Sequence, residues 1–123
     1  MKKLTLGLTI VGLLASSLVA KSAETLIEEN KCMDCHNIMG MKYAPPFSAI
    51  AKMNSGWFGN SKNSIKNSIK LGSQGKYPMF SNTKMPAFSK LNDEEIEILA
   101  DWVIAQGSKD MRHGMRHRMM NHM

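Results

Sequence analysis

The chain has 123 residues, 43% of them hydrophobic, with two cysteines, 12 methionines and a formal net charge of +6. That length holds one small domain with a modest core and leaves no room for a multidomain enzyme. No basic run interleaves with aromatic residues before the final segment, which argues against nucleic-acid binding.

Residues 1–20 read as a signal peptide. Lys2 and Lys3 form a positive start, the run Leu4 to Leu18 carries no charge, and the small residues Ala20, Ser22 and Ala23 follow. The apolar run is short for a membrane span, so an uncleaved anchor is only the second reading. No later run is apolar enough to insert, and the mature part is expected to be exported and soluble. Without Lys2 and Lys3 the chain keeps 14 basic and 10 acidic residues, a charge of +4 that favours acidic protein partners.

Residues 21–109 read as the single domain, built from four short helices. The first spans about Ala23 to Lys31, with Glu24 in its first turn and Leu26 and Ile27 on its apolar side. Met33 to Ala44, containing Gly40, reads as loop. Pro45-Pro46 opens a second helix, whose Phe47, Ile50 and Ala51 share one face, and Asn54-Ser55-Gly56 ends it. A third fits Ser61 to Leu71, with Ile65 and Ile69 one turn apart and Gly72 as its stop. Gly72 to Lys90 reads as loop. The last helix has the strongest signals: Asn92 as N-cap, Glu95 to complete a capping box, and Leu91 with Ile96 as a hydrophobic staple. Gly107 is expected to close it. Residues 110–123, rich in Met, His and Arg, are expected to form a separate disordered tail. Sulfur and imidazole also suit copper, zinc or nickel, so a metal-handling tail is the alternative.

The chemistry is concentrated in Cys32-Met33-Asp34-Cys35-His36, a C-x-x-C-H sequence. Two thiols on one turn can add to the two vinyl groups of a haem, and the next imidazole then stands under the iron as an axial ligand. The attachment chemistry occurs outside the cytoplasm, and the signal peptide independently predicts export. A thioredoxin-like pair would need a preceding strand, and a zinc site would need a second ligand pair; neither is visible. The sixth iron ligand must come from elsewhere, and two loop methionines qualify: Met79, after Pro78, and Met85, before Pro86.

These motifs together resemble the small bacterial class I cytochromes c with one haem, over residues 23–106. Cys32, Cys35 and His36 match the haem motif, Pro45 matches the proline near the histidine, and Met85-Pro86-Ala87-Phe88 resembles the methionine-ligand segment. Ile69 to Gly75 resembles the approach to that segment, and Leu91 to Val103 the C-terminal helix. The resemblance implies an all-α fold with terminal helices crossing, one covalent haem c on Cys32 and Cys35, and His36 and Met85 as axial ligands. It implies a monomeric one-electron carrier of the periplasm that exchanges electrons with redox proteins, steered by Lys42, Lys76 and Lys84 around the cofactor. Tyr77 and Trp102 become candidates for the pocket wall. A haem subunit of a larger oxidoreductase, or a five-coordinate haem with peroxidase or gas-binding activity, are the competing functions.

Overall fold

The computed structural model describes residues 20–55 and 62–120. Apart from Ala20, the signal peptide expected from the sequence lies outside them, as do Gly56, Ser61 and residues 121–123. Among the described residues there are four α-helices: α1 (Ala23–Glu29), α2 (Phe47–Met53), α3 (Lys62–Leu71) and α4 (Asp93–Met120). All three shorter helices pack against α4. The core is the set of apolar stripes expected from helical spacing: Leu26 and Ile27 of α1, Ile65 and Ile69 of α3, and Ile96, Leu99 and Val103 of α4. Ion pairs between Lys62 and Glu97, Lys62 and Asp101 (3.0 Å), and Lys66 and Glu97 (2.6 Å) tie α3 to α4 along their outer edge.

The helix starts follow local chemistry. Ser22 Oγ accepts from the Thr25 amide at 3.2 Å to cap α1. At α4 the capping box is complete: the Glu95 amide donates to Asn92 Oδ1 at 2.8 Å, and the Asn92 amide donates to Glu95 Oε1 at 3.1 Å.

Two expectations from the sequence are corrected. The stretch from Gly72 to Lys90 is not loop throughout. It carries a 3₁₀ turn (Pro78–Phe80) and a two-residue antiparallel ladder, β1 (Ser73–Gln74) with β2 (Lys84–Met85), paired Ser73 to Met85 and Gln74 to Lys84. A ladder that short shows no alternation in sequence.

The second correction concerns Gly107. α4 does not stop there but continues to Met120. Gly107 keeps helical backbone; among the described residues the glycines with positive φ are Gly40, Gly72 and Gly75. Its place is explained by packing, since a Cβ there would stand 3.0 Å from the Ala51 Cβ of α2. The missing side chain lets α2 lie close against α4. The Lys, Met and Arg residues beyond it are good helix formers.

Candidate functional site

The C-x-x-C-H segment folds as a 3₁₀ turn (Cys32–Asp34), entered through Lys31 in a left-handed conformation at φ 55°. The His36 amide donates to the Cys32 carbonyl at 3.0 Å, which winds the two cysteines and the histidine onto one turn. Both cysteines are free thiols, Cys32 half-buried and Cys35 exposed. Burial raises the Cys32 pKa, so this thiol stays protonated at neutral pH. Among the described residues no strand precedes the pair, and no three His, Cys, Asp or Glu side chains come together as a metal site.

His36 is buried, at 9% exposure, and its position is over-determined. Nδ1 lies 2.7 Å from the Pro45 carbonyl oxygen. A carbonyl only accepts, so Nδ1 carries the proton and Nε2 keeps a lone pair for a metal. Burial lowers the His36 pKa, partly offset by the Pro45 hydrogen bond, and the imidazole is therefore neutral at pH 7, as a ligand must be. The ring stacks on Phe47 at 4.8 Å, and Phe47 meets Trp102 edge-on at 5.1 Å. Backbone bonds from Ala44 to Cys35, Phe47 to Asn37 and Ser48 to Ile38 sew the motif onto the start of α2.

A cavity of about 330 Å³ opens beside this turn. Its wall includes Cys32, Cys35 and His36 on one hand and Met85 on the other, with apolar side chains such as Ile69, Phe88 and Leu99 between. Met85 is half-buried against the core. Met79 is 75% exposed and lies off the cavity wall, although Tyr77 and Phe80 beside it are part of it. Of the two sequence candidates, the fold therefore brings only Met85 into the same cavity as His36.

Met85 is held through its backbone. It pairs with Ser73 in the ladder, the Phe88 amide donates to the Ile69 carbonyl at 3.0 Å, and Gly72 makes the approach possible. Gly72 sits at φ +77°, and a Cβ there would fall 2.7 Å from the Met85 carbonyl oxygen and 3.0 Å from the Ala87 nitrogen. The sequence marks Gly72 as a helix stop; its contact with the Met85-Pro86 backbone is visible only in three dimensions. Thr83 was also missed. Its hydroxyl donates to the Tyr43 carbonyl at 2.9 Å, joining the methionine loop to the loop after His36. Nothing in a lone threonine forty positions away could have signalled this.

Polar groups stand at one part of the cavity wall. The Asn54 amide donates to the Tyr77 hydroxyl oxygen at 3.3 Å, leaving the Tyr77 O–H able to donate elsewhere. The Lys76 ammonium donates to Ser64 Oγ at 2.7 Å, Ser68 Oγ at 2.9 Å and the Ser64 carbonyl at 3.2 Å, a set without a carboxylate. Partial burial of that ammonium lowers its pKa. Of the other two lysines marked in the sequence, Lys42 donates to the Met33 carbonyl at 2.8 Å and Lys84 is exposed on the cavity edge.

The donor set fits a covalently attached haem: two reduced thiols, a neutral imidazole with a free Nε2, and a thioether on one largely apolar cavity. Comparison with known proteins agrees. The family model for Cytochrome c matches residues 20–107. Cytochrome c552 of Nitrosomonas europaea superposes with a TM-score of 0.59 at 24% identity, covering 68% of this chain and 98% of its own. The class 1 cytochrome MtoD of Sideroxydans lithotrophicus ES-1 superposes with a TM-score of 0.55 at 20% identity, covering 69% of this chain and 92% of its own. A comparison with curated proteins finds no match.

Proposed function

We propose, from the premise that this chain belongs to the cytochrome c family and carries one covalently attached haem c, that His36 and Met85 are its axial ligands and Cys32 and Cys35 its thioether anchors. The observation that carries the ligand assignment is the shared cavity, which has His36 and Met85 on its wall and leaves Met79 outside. When bound, the haem supplies a one-electron Fe(II)/Fe(III) couple. The protein's part is to hold both ligands in place through the change of valence. His36 is fixed by the Pro45 carbonyl and the Phe47 ring, and Met85 by the ladder and Gly72. A thioether is neutral and soft, and favours the reduced iron relative to a second imidazole. The Tyr77 hydroxyl would be a wall donor for the haem carboxylates, while the Lys76 ammonium, its three protons given to Ser64 and Ser68, would supply positive charge to that part of the wall.

The chain is an electron-carrier haem protein by family, and we read it as a monomeric carrier of the periplasm, passing electrons between redox proteins. A filled sixth position leaves no place for substrate, which favours this over a peroxidase or gas-binding role. Among the described residues no helix is long and apolar enough to cross a membrane. Lys76 and Lys84 line the cavity, Lys42 is bonded to the Met33 carbonyl of the cysteine turn, and the three would steer an acidic partner to this side.

The test is the optical spectrum of the haem-loaded protein, oxidised and reduced. The expected result is a low-spin haem with the weak near-red band of iron–sulfur bonding, lost in Met85→Ala and kept in Met79→Ala. Loss in Met79→Ala alone would transfer the ligand role. A high-spin spectrum that responds to carbon monoxide in the unmodified protein would overturn the carrier reading in favour of an open iron site.

A further inference from the structure

The end of α2 carries an arrangement that the axial ligands do not use. Asn54, the residue after Met53, is 4% exposed. Its backbone amide donates to the Ile50 carbonyl at 3.1 Å, which already serves the end of the helix. Its side-chain Nδ2 donates to the same carbonyl at 2.7 Å and to the Tyr77 hydroxyl oxygen at 3.3 Å. A carbonyl only accepts, so the atom facing Ile50 is the nitrogen and the amide cannot be turned over. That orientation leaves Asn54 Oδ1 buried without a hydrogen-bond partner among the described residues. An unpaired buried acceptor costs stability, and a helix cap alone does not require one.

Tyr77 stands on the cavity wall with Ile50, and Asn54 lies behind it, off the wall. The ring is steadied from another side by Lys76, whose Nζ lies 5.8 Å from its centroid and is itself bonded to Ser64 and Ser68 of α3. A phenol oxygen that accepts from Asn54 keeps its proton for a different acceptor. Among the described residues the Tyr77 hydroxyl makes no other hydrogen bond. We infer that Asn54 is a positioning residue for electron transfer: by donating to the Tyr77 oxygen it directs the Tyr77 proton to the haem carboxylates, and so favours the reduced iron. The inference rests on the reading of Tyr77 as a donor to those carboxylates. Their negative charge favours the oxidised iron, and a hydrogen bond to a charged group weakens that bias. Without Asn54 the same O–H can rotate about its C–O bond and turn away. The helix α2 then acts at both ends, through Phe47 on the axial histidine and through Asn54 on the charge of the cofactor.

The experiment measures the reduction potential of the haem-loaded protein, as its electron-sharing equilibrium with a mediator of fixed potential, in Asn54→Ser, Tyr77→Phe and the double variant. A serine hydroxyl can still bond the carbonyl four residues back, as Ser68 does with Ser64, but is too short to reach Tyr77. Tyr77→Phe should shift the equilibrium toward the oxidised protein by about five- to tenfold, and Asn54→Ser by about threefold. In the Tyr77→Phe background Asn54→Ser should shift it by less than about 1.5-fold, because the two residues act through one proton. The near-red band should be the same in every variant, which keeps this result independent of the axial-ligand assignment. An unshifted potential in Tyr77→Phe would remove the donor role from Tyr77 and the inference with it. A shift in Tyr77→Phe with none in Asn54→Ser, or an Asn54→Ser shift that is equal with and without the Tyr77 hydroxyl, would overturn the role of Asn54 and leave that of Tyr77 standing. A second measurement does not depend on whether Asn54→Ser folds. The chain has two tyrosines, so Tyr43→Phe isolates the infrared C–O band of Tyr77. That band should be the one of a phenol that both accepts and donates; a donor-only band would equally overturn the inference.

Discussion

The two sides of the haem cavity are built on different principles. The histidine side is held by side-chain packing: His36 is buried, hydrogen-bonded to Pro45 and stacked on Phe47, which in turn meets Trp102 of the longest helix. The methionine side is held by backbone. Its ligand candidate sits in a two-residue strand, next to a glycine that only a hydrogen atom lets approach, with exposed Met79 and Leu71 nearby. Packed side chains resist displacement cooperatively, whereas a short ladder opens at small cost. The histidine should therefore outlast the methionine when the protein is stressed.

Perturbing the packed side should cost most. Phe47→Ala removes the ring under His36 and should destabilise the haem-loaded protein by about 3–5 kcal/mol. At low denaturant the near-red band should persist, since the methionine loop is untouched. Gly72→Ala attacks the other side. It places a side chain at φ +77° and against the Met85 carbonyl, so it should cost about 1–3 kcal/mol and weaken the near-red band even where the protein remains folded. A band of full intensity in Gly72→Ala would break the contrast, because the methionine would then not depend on that backbone approach. Thr83→Val removes the hydroxyl linking the two loops. It should cost about 0.5–1.5 kcal/mol and hasten loss of the band with denaturant, ahead of global unfolding seen by circular dichroism.

The smallest effect serves as a control outside both sides. Lys62 and Lys66 hold the Glu97 carboxyl below its ordinary pKa of 4.5. The unfolded chain then binds more protons through that range, so this contribution is present above about pH 4.5 and disappears as pH falls through the lower folded value. Lys62→Met with Lys66→Met should make the acid loss of stability shallower, seen as urea midpoints at about pH 6 and about pH 3.5 drawing together. The near-red band at neutral pH should not change.

What the sequence determined by itself were the features whose cause is local. The capping box at Asn92 and Glu95, the apolar stripes of the helices and the turn that groups Cys32, Cys35 and His36 all arise within a few residues, and each is present in the structure as read. The C-x-x-C-H motif carries its chemistry in its spacing and was legible for the same reason. Tertiary structure decided whatever depends on contacts between distant segments. Along the chain only the resemblance of its Met-Pro step favours Met85 over Met79; the pairing of Ser73 with Met85 is what holds that segment at the cavity, and Met79 stays off its wall. Gly107 has the composition of a helix stop, yet it serves the approach of Ala51, and the helix passes through it. A glycine is read in sequence as a freedom of its own backbone; its use here is set by the neighbour that occupies the space where a side chain would have been.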